Sequence, residues 1–457
     1  MRTRLTWIVA ILTLVSIGVL MACSTKYTSS SNGLVVMPSQ GSLVMQTFSL
    51  DISNGRMSQI NNVDGPPTPG LPTAVILDPA GAFAYVIVTQ NAVVLPTGGV
   101  TGIATFPIAS DGKLGTAATY PLSNAQVQVQ VQVSGVPTIE TESVPVTPVA
   151  LTMDSTGKLL FVANSATSDS SGNSVPGSVS VLAIGSNATL TEVAGSPFVL
   201  PVGGVNLLPS LLQNPCTVQV GCPSPLALAV TSTAFPPLHA YCSAFNAPTT
   251  ENLYVPDSIG NILLNYSVSS SGTLTLVPTQ TNVGVPTGYL PDGVTVDPCN
   301  RFVYVSNGSS NAATANTVSA YTICNAVTQP NCPSPDFRLL QVNNGVPFPV
   351  SPGNGPGPLA VDAYGSFLYV VDTASGLVSQ FRISPTTGSI TALTPPFVAA
   401  SLGANSIAIR SDDSWVFVAD TGPPAVISQY SINLATGNLA GQSPVQTFNY
   451  PSGVAVK

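Results

Sequence analysis

Residue types able to do chemistry are few in this chain and widely spread. Its 457 residues hold one histidine, His239, and only 7% of them are charged, against about 25% in ordinary soluble domains. Four glutamates (Glu140, Glu142, Glu192, Glu251) and, among the arginines, Arg301, Arg338, Arg382 and Arg410 are scattered. Aspartates recur: Asp78, Asp154, Asp297 and Asp362 each end an apolar run and precede a Gly or Asn three residues on. A carboxylate there accepts hydrogen bonds from following backbone N–H groups and fixes a turn. A second set, Asn164, Asp257, Asn307, Asp372 and Asp420, follows the next apolar run and suits turns equally. Hydrolysis would need an activated water and a stabiliser for the developing oxyanion. No Gly-rich phosphate loop, G-x-S-x-G elbow or H-E-x-x-H occurs.

Cysteines are the second chemical set. Besides Cys23 there are six: Cys216, Cys222, Cys242, Cys299, Cys324 and Cys332. An even number in an exported chain suggests disulfides, and six allow fifteen pairings. Cys216 and Cys222 bracket TVQVG, and Cys324 and Cys332 bracket NAVTQPN. Proximity pairs each of these couples and leaves Cys242 with Cys299. A metal site is the alternative, but zinc-type Cys/His spacing is missing.

These groups are carried by short strands. Pro358 to Leu393 reads as Leu359–Val361, Phe367–Val371, Val378–Ile383 and Ser389–Leu393, separated by Asp/Gly/Ser turns. The unit returns along the chain with Val35, Tyr85, Phe161, Tyr254, Tyr304, Tyr369 and Phe417 at equivalent places. No long stretch after the N-terminus has helical periodicity, so the chain is all-β. The first copy lacks its first strand, while Pro451 to Lys457 is a first strand with nothing after it. The two ends complement each other, which favours a closed ring of seven four-stranded blades over an open solenoid. In such a ring the set Asn164, Asp257, Asn307, Asp372 and Asp420 would lie on one face and could meet a ligand or a cation.

LYVVD, VYVSN, LFVAN and VFVAD resemble the YVTN-type β-propeller repeat, and the D-P-x-G turns and T-G-x-L segments resemble lactonase-type propellers related to 6-phosphogluconolactonase. The resemblance spans residues 33–457. It implies a seven-bladed β-propeller and, as an alternative activity, sugar-lactone hydrolysis. A divalent metal enters only with that alternative; otherwise no cofactor is expected.

Extra chain is inserted near 123–146, 199–224 and 231–250. The first insertion contains Val127 to Val133, VQVQVQV, whose strict alternation is a strand pattern. Left unpaired it would be an aggregation hazard, so it is expected to be paired.

Residues 1–22 carry Arg2 and Arg4 and then an apolar run, the pattern of an export signal. Leu20-Met21-Ala22-Cys23 resembles the bacterial lipobox, in which Cys23 is lipidated, and residues 23–32 form a polar tether. Ser24 rather than Asp after the cysteine implies the outer membrane. The net charge of −8 and the lack of a basic stripe exclude nucleic-acid binding. The expected role is a membrane-anchored binding or scaffold module for a protein or glycan ligand at the cell envelope; if the chain is an enzyme, the expected activity is that of a lactonase. Fatty-acid labelling in cells should mark the parent protein and vanish in Cys23→Ala. A labelled Cys23→Ala protein would rule out the anchor.

Overall fold

The computed structural model describes residues 32–60, 65–90, 100–133, 136–202, 216, 222–233, 250–277, 283–308, 314–325, 332, 336–447 and 450–457. The leader, Cys23, His239 and Cys242 lie outside the described residues, as do most of 199–224 and 231–250.

Seven sheets surround a central channel, and blades are numbered here from the N-terminus with strands counted outward. Blade 6 consists of Pro356–Val361, Phe367–Asp372, Leu377–Ile383 and Ile390–Ala399, all antiparallel. Blade 1 is composite. Asn32–Ser39, Val44–Asp51 and Arg56–Gln59 supply its three outer strands, and Ala455–Val456 supplies the innermost. Val35 pairs with Val456 and Val36 with Ala455. Lys457 N donates to Leu34 O at 2.9 Å, and Leu34 N to Lys457 O at 3.2 Å. The chain therefore closes the ring with its own end. In blades 3, 4, 5 and 7 a short return segment pairs a second time with the third strand: Phe198–Val199, Val285–Pro286, Phe348–Pro349 and Val445–Gln446.

The core lies between blades. Seven clusters of buried apolar side chains fill the seven interfaces between neighbouring sheets. Each blade is thus buried on both faces, which explains why second strands such as Phe302–Asn307 and Trp415–Asp420 are buried at every residue. Tyr304 and Tyr369 cross into the next blade. Their hydroxyls donate to Gly388 O at 3.0 Å and Gly437 O at 2.7 Å. This accounts for the glycine of the T-G-x-L segments. Gly388 and Gly437 have φ of 72° and 82°, and a Cβ on either would strike the ring of Phe302 or Phe367.

Polar staples join the turns that follow the inner strands. Ser155 donates to Glu251, Ser232 and Asn300 exchange two hydrogen bonds, and Arg301 donates to Gly365 O. Ala363 N donates to Asp413, and Lys457 Nζ donates to Ala80 O. Within their own turns, Asp78, Asp154, Asp297 and Asp362 each accept two backbone N–H groups at the start of the second strand.

Ala125–Val133 and Val136–Val144 pair as a separate two-stranded hairpin. Val127 and Val129 are buried with Val144, Val146 and Val175, while Gln128 on the other face donates to Thr141 Oγ1 at 2.8 Å. The disulfides Cys216–Cys222 and Cys324–Cys332 are formed, with Cα–Cα distances of 5.1 and 5.3 Å. Cys299 is also disulfide-bonded; Cys242, its expected partner, is outside the described residues.

Candidate functional site: the central channel

Each inner strand opens on the same backbone device. Pro291, Pro356 and Ala404 are the first residues of three of them, Pro72 and Pro148 the second residues of two more, and Pro225 and Pro451 form isolated bridges ahead of the last two. Proline is tolerated at the first residue of a strand, where a missing N–H breaks no ladder. In blades 2, 3, 5, 6 and 7 the register with the second strand then shifts by one residue, a β-bulge. A bulge leaves one residue unpaired and re-aims its side chain. The residue after the opening proline or alanine is Thr73, Val149, Leu226, Asp292, Gly357, Asn405 and Ser452 in blades 2 to 7 and then 1. All but Gly357 line one cavity of about 500 Å³ on the propeller axis. Two residues further along, Val75, Leu151, Leu228, Val294, Leu359 and Ile407 line the same cavity with aliphatic groups.

The cavity is uneven around its circumference. Val149 and Leu226 make an apolar arc on blades 3 and 4, and Leu226 is 37% exposed. The remaining arc is polar. Ser452 Oγ donates to Pro72 O at 2.8 Å, Ser406 Oγ accepts from Val454 N, and Asn405 Nδ2 donates to Pro451 O. Thr73 Oγ1 and Asn405 Oδ1 are buried without a hydrogen-bond partner. Asp292 is the one charged side chain among the described lining residues. Asp292 is exposed to the channel, and the protein packed around its carboxyl partly desolvates it and raises it above the ordinary value. Gly357 stands beside it: a Cβ there would lie 3.4 Å from Asp292 Oδ2 and 3.1 Å from Thr373 Oγ1.

The second set of acids and amides lies at the second-strand ends and does not line this cavity. Asn164, Asp257, Asn307, Asp372 and Asp420 are all buried. Asn164 donates to Ser178 and Ser180, and Asn307 to Thr317 and Ser319. Asp257 accepts from Ser224 N and Ile259 N. Asp372 accepts from Ser379 Oγ at 2.6 Å and Asp420 from Ser428 Oγ at 2.5 Å. One oxygen each of Asn164, Asn307, Asp372 and Asp420 has no partner. Burial pushes the carboxyls of Asp372 and Asp420 up to about 7. Among the described residues no three His, Cys, Asp or Glu side chains group as metal ligands would.

Asp292 was not among the residues that sequence reasoning selected. The signal was present in the repeated proline, since aligning the residue after it exposes one acid in a ring of neutral side chains.

No family model matches the chain, and no curated protein matches it in sequence. Solved structures do match. A candidate 6-phosphogluconolactonase from Bacteroides uniformis is 15% identical, with a TM-score of 0.62 over 94% of this chain and 100% of that one. Its counterpart from Bacteroides fragilis is 15% identical, with a TM-score of 0.60 over 94% and 99%. The periplasmic gluconolactonase of Pseudomonas aeruginosa is 17% identical, with a TM-score of 0.58 over 93% and 98%. The chain has the lactonase-type propeller fold. At these identities the likeness extends to the fold alone.

Asp372 and Asp420 generate a prediction on stability. Each holds its proton more tightly in the folded protein than unfolded, where an aspartate titrates near 3.9. Their ionisation therefore opposes folding: the cost is absent below about pH 4, grows as pH rises, and is complete above about 7. Its upper bound is ~4 kcal/mol per group. Blades 3 and 5 place asparagine at this position, so Asp372→Asn and Asp420→Asn are sterically suitable. Both should raise the melting temperature by several degrees at pH 8, with the gain gone at pH 4. A lower melting temperature at pH 8 would contradict the assignment.

Proposed function

We propose that this chain is an exported, lipid-anchored propeller that binds a ligand at its central channel and acts as a binding or scaffold module at the cell envelope. The channel lining carries the reading. A cavity of about 500 Å³ is of the size that holds a small molecule or one end of a larger one. Aliphatic side chains, hydroxyls, one amide and a single carboxylate suit recognition better than two-group acid–base chemistry. Export is supported by the leader pattern of residues 1–22, the lipobox-like Leu20 to Cys23 and the disulfides, since disulfides persist in oxidising compartments. A surface wetted by hydroxyls and amides fits the same location.

Lactone hydrolysis is the second reading, favoured by one observation: Asp292, with its raised carboxyl, stands free in the channel. Such a carboxylate could take a proton from water. The described lining offers it no His, Lys or Arg to stabilise an oxyanion. The periplasmic gluconolactonase with the same fold makes the reading worth testing. Purified protein lacking residues 1–23 should open neither glucono-1,5-lactone nor its 6-phosphate faster than buffer, with or without divalent metal. Turnover that is lost in Asp292→Asn would replace the binding reading with the hydrolytic one.

A further inference from the structure

We propose that the channel mouth takes a small primary amine with an aliphatic body, its ammonium on the Asp292 carboxylate and its carbon chain against Val149 and Leu226. The inference rests on the reading of the channel as a ligand site and names the ligand's chemistry.

The first observation is uncompensated charge. Asp292 has no hydrogen-bond donor or cation against it among the described residues, whereas Asp78, Asp154, Asp297 and Asp362 are all satisfied by their own turns. Asp292 is exposed to the channel, so its carboxylate is open to a charged partner from outside the chain. A ligand cation would supply the missing partner. The second is room at the right place. Gly357 occupies the bulge position of the next blade without a side chain, leaving a notch flanked by Asp292 Oδ2 and Thr373 Oγ1. An ammonium has three donors and no acceptor, and the carboxylate and the hydroxyl beside the notch can accept two of them. Thr73 Oγ1 and Asn405 Oδ1, also without partners, leave the rest of the ring short of donors rather than acceptors. The third is the apolar arc. Val149 and Leu226 interrupt the polar ring, and aliphatic side chains line the level below. A polyol would leave both the carboxylate and this arc unanswered, and an anion would be repelled. Metal sites of hard cations usually recruit several oxygens with more than one carboxylate, and the lining offers one.

The test is calorimetric titration of the full-length protein in detergent with pentan-1-amine, pentan-1-ol, pentanoate and calcium chloride, each against a detergent blank. The amine should bind saturably and at least tenfold more tightly than the alcohol, with no binding of pentanoate. Asp292→Asn should abolish that preference at an unchanged melting temperature. Should Asp292→Asn fail to fold, Leu226→Asn gives a second readout: it should flatten the gain in affinity from propylamine to hexylamine. Equal binding of amine and alcohol, or an amine preference that survives in Asp292→Asn, would overturn the ammonium site while leaving the channel a ligand site. Calcium binding that displaces the amine would also overturn it, in favour of an inorganic cation. Lactone turnover dependent on Asp292 would instead overturn the binding reading beneath it.

Discussion

The structure depends on a closed ring. Every blade is apolar on both faces, so no blade is stable as an isolated sheet; each needs a neighbour on either side. An open array of such blades would end in two greasy faces, and a ring has none. Closure falls to seven residues, Pro451 to Lys457. They complete the sheet of blade 1, and Lys457 ties the last turn to Ala80 of blade 2. Ser452 and Gly453 also line the channel, so the closing segment is part of the candidate site as well as of the scaffold.

The same constraint fixes where chemistry can sit. Inside the ring almost every side chain is committed to a blade interface or to a turn. The aspartates after the inner strands are occupied by backbone N–H groups, as is Asp257, and Asp372 and Asp420 lie buried against third-strand hydroxyls. Freedom remains at the residue after the opening proline or alanine, which in five blades sits in a bulge and in six lines the channel. Six of these seven residues are neutral. A single acid at this position gives the lumen a direction, with the apolar arc of blades 3 and 4 beside it.

Much of this architecture was legible in the sequence. Strand periodicity, the missing first strand at one end and the spare one at the other led directly to the composite blade. VQVQVQV announced a paired strand, and it is one. Asp78, Asp154, Asp297 and Asp362 read as turn formers, and their hydrogen bonds are those of turns, whereas Asp372 and Asp420 bond third-strand serines. Other features left no periodic trace. The return segments such as Phe198–Val199 are two residues long, too short for alternation to register. Asp292 was hidden for a different reason: alternation alone assigns a residue to one face of a sheet, and a bulge changes that assignment without altering the pattern of apolar residues. The burial of Asp372 and Asp420 was hidden too, because an acid at a strand end reads as exposed until the neighbouring loop is seen to cover it.

If the last seven residues hold the ring together, thermal unfolding of a chain ending at Tyr450 will show it. Loss of the inner strand of blade 1 should lower the melting temperature by at least ten degrees and replace one cooperative transition with a broad one. A truncated chain that melts at the parent temperature in a single transition would contradict closure by the C-terminal strand.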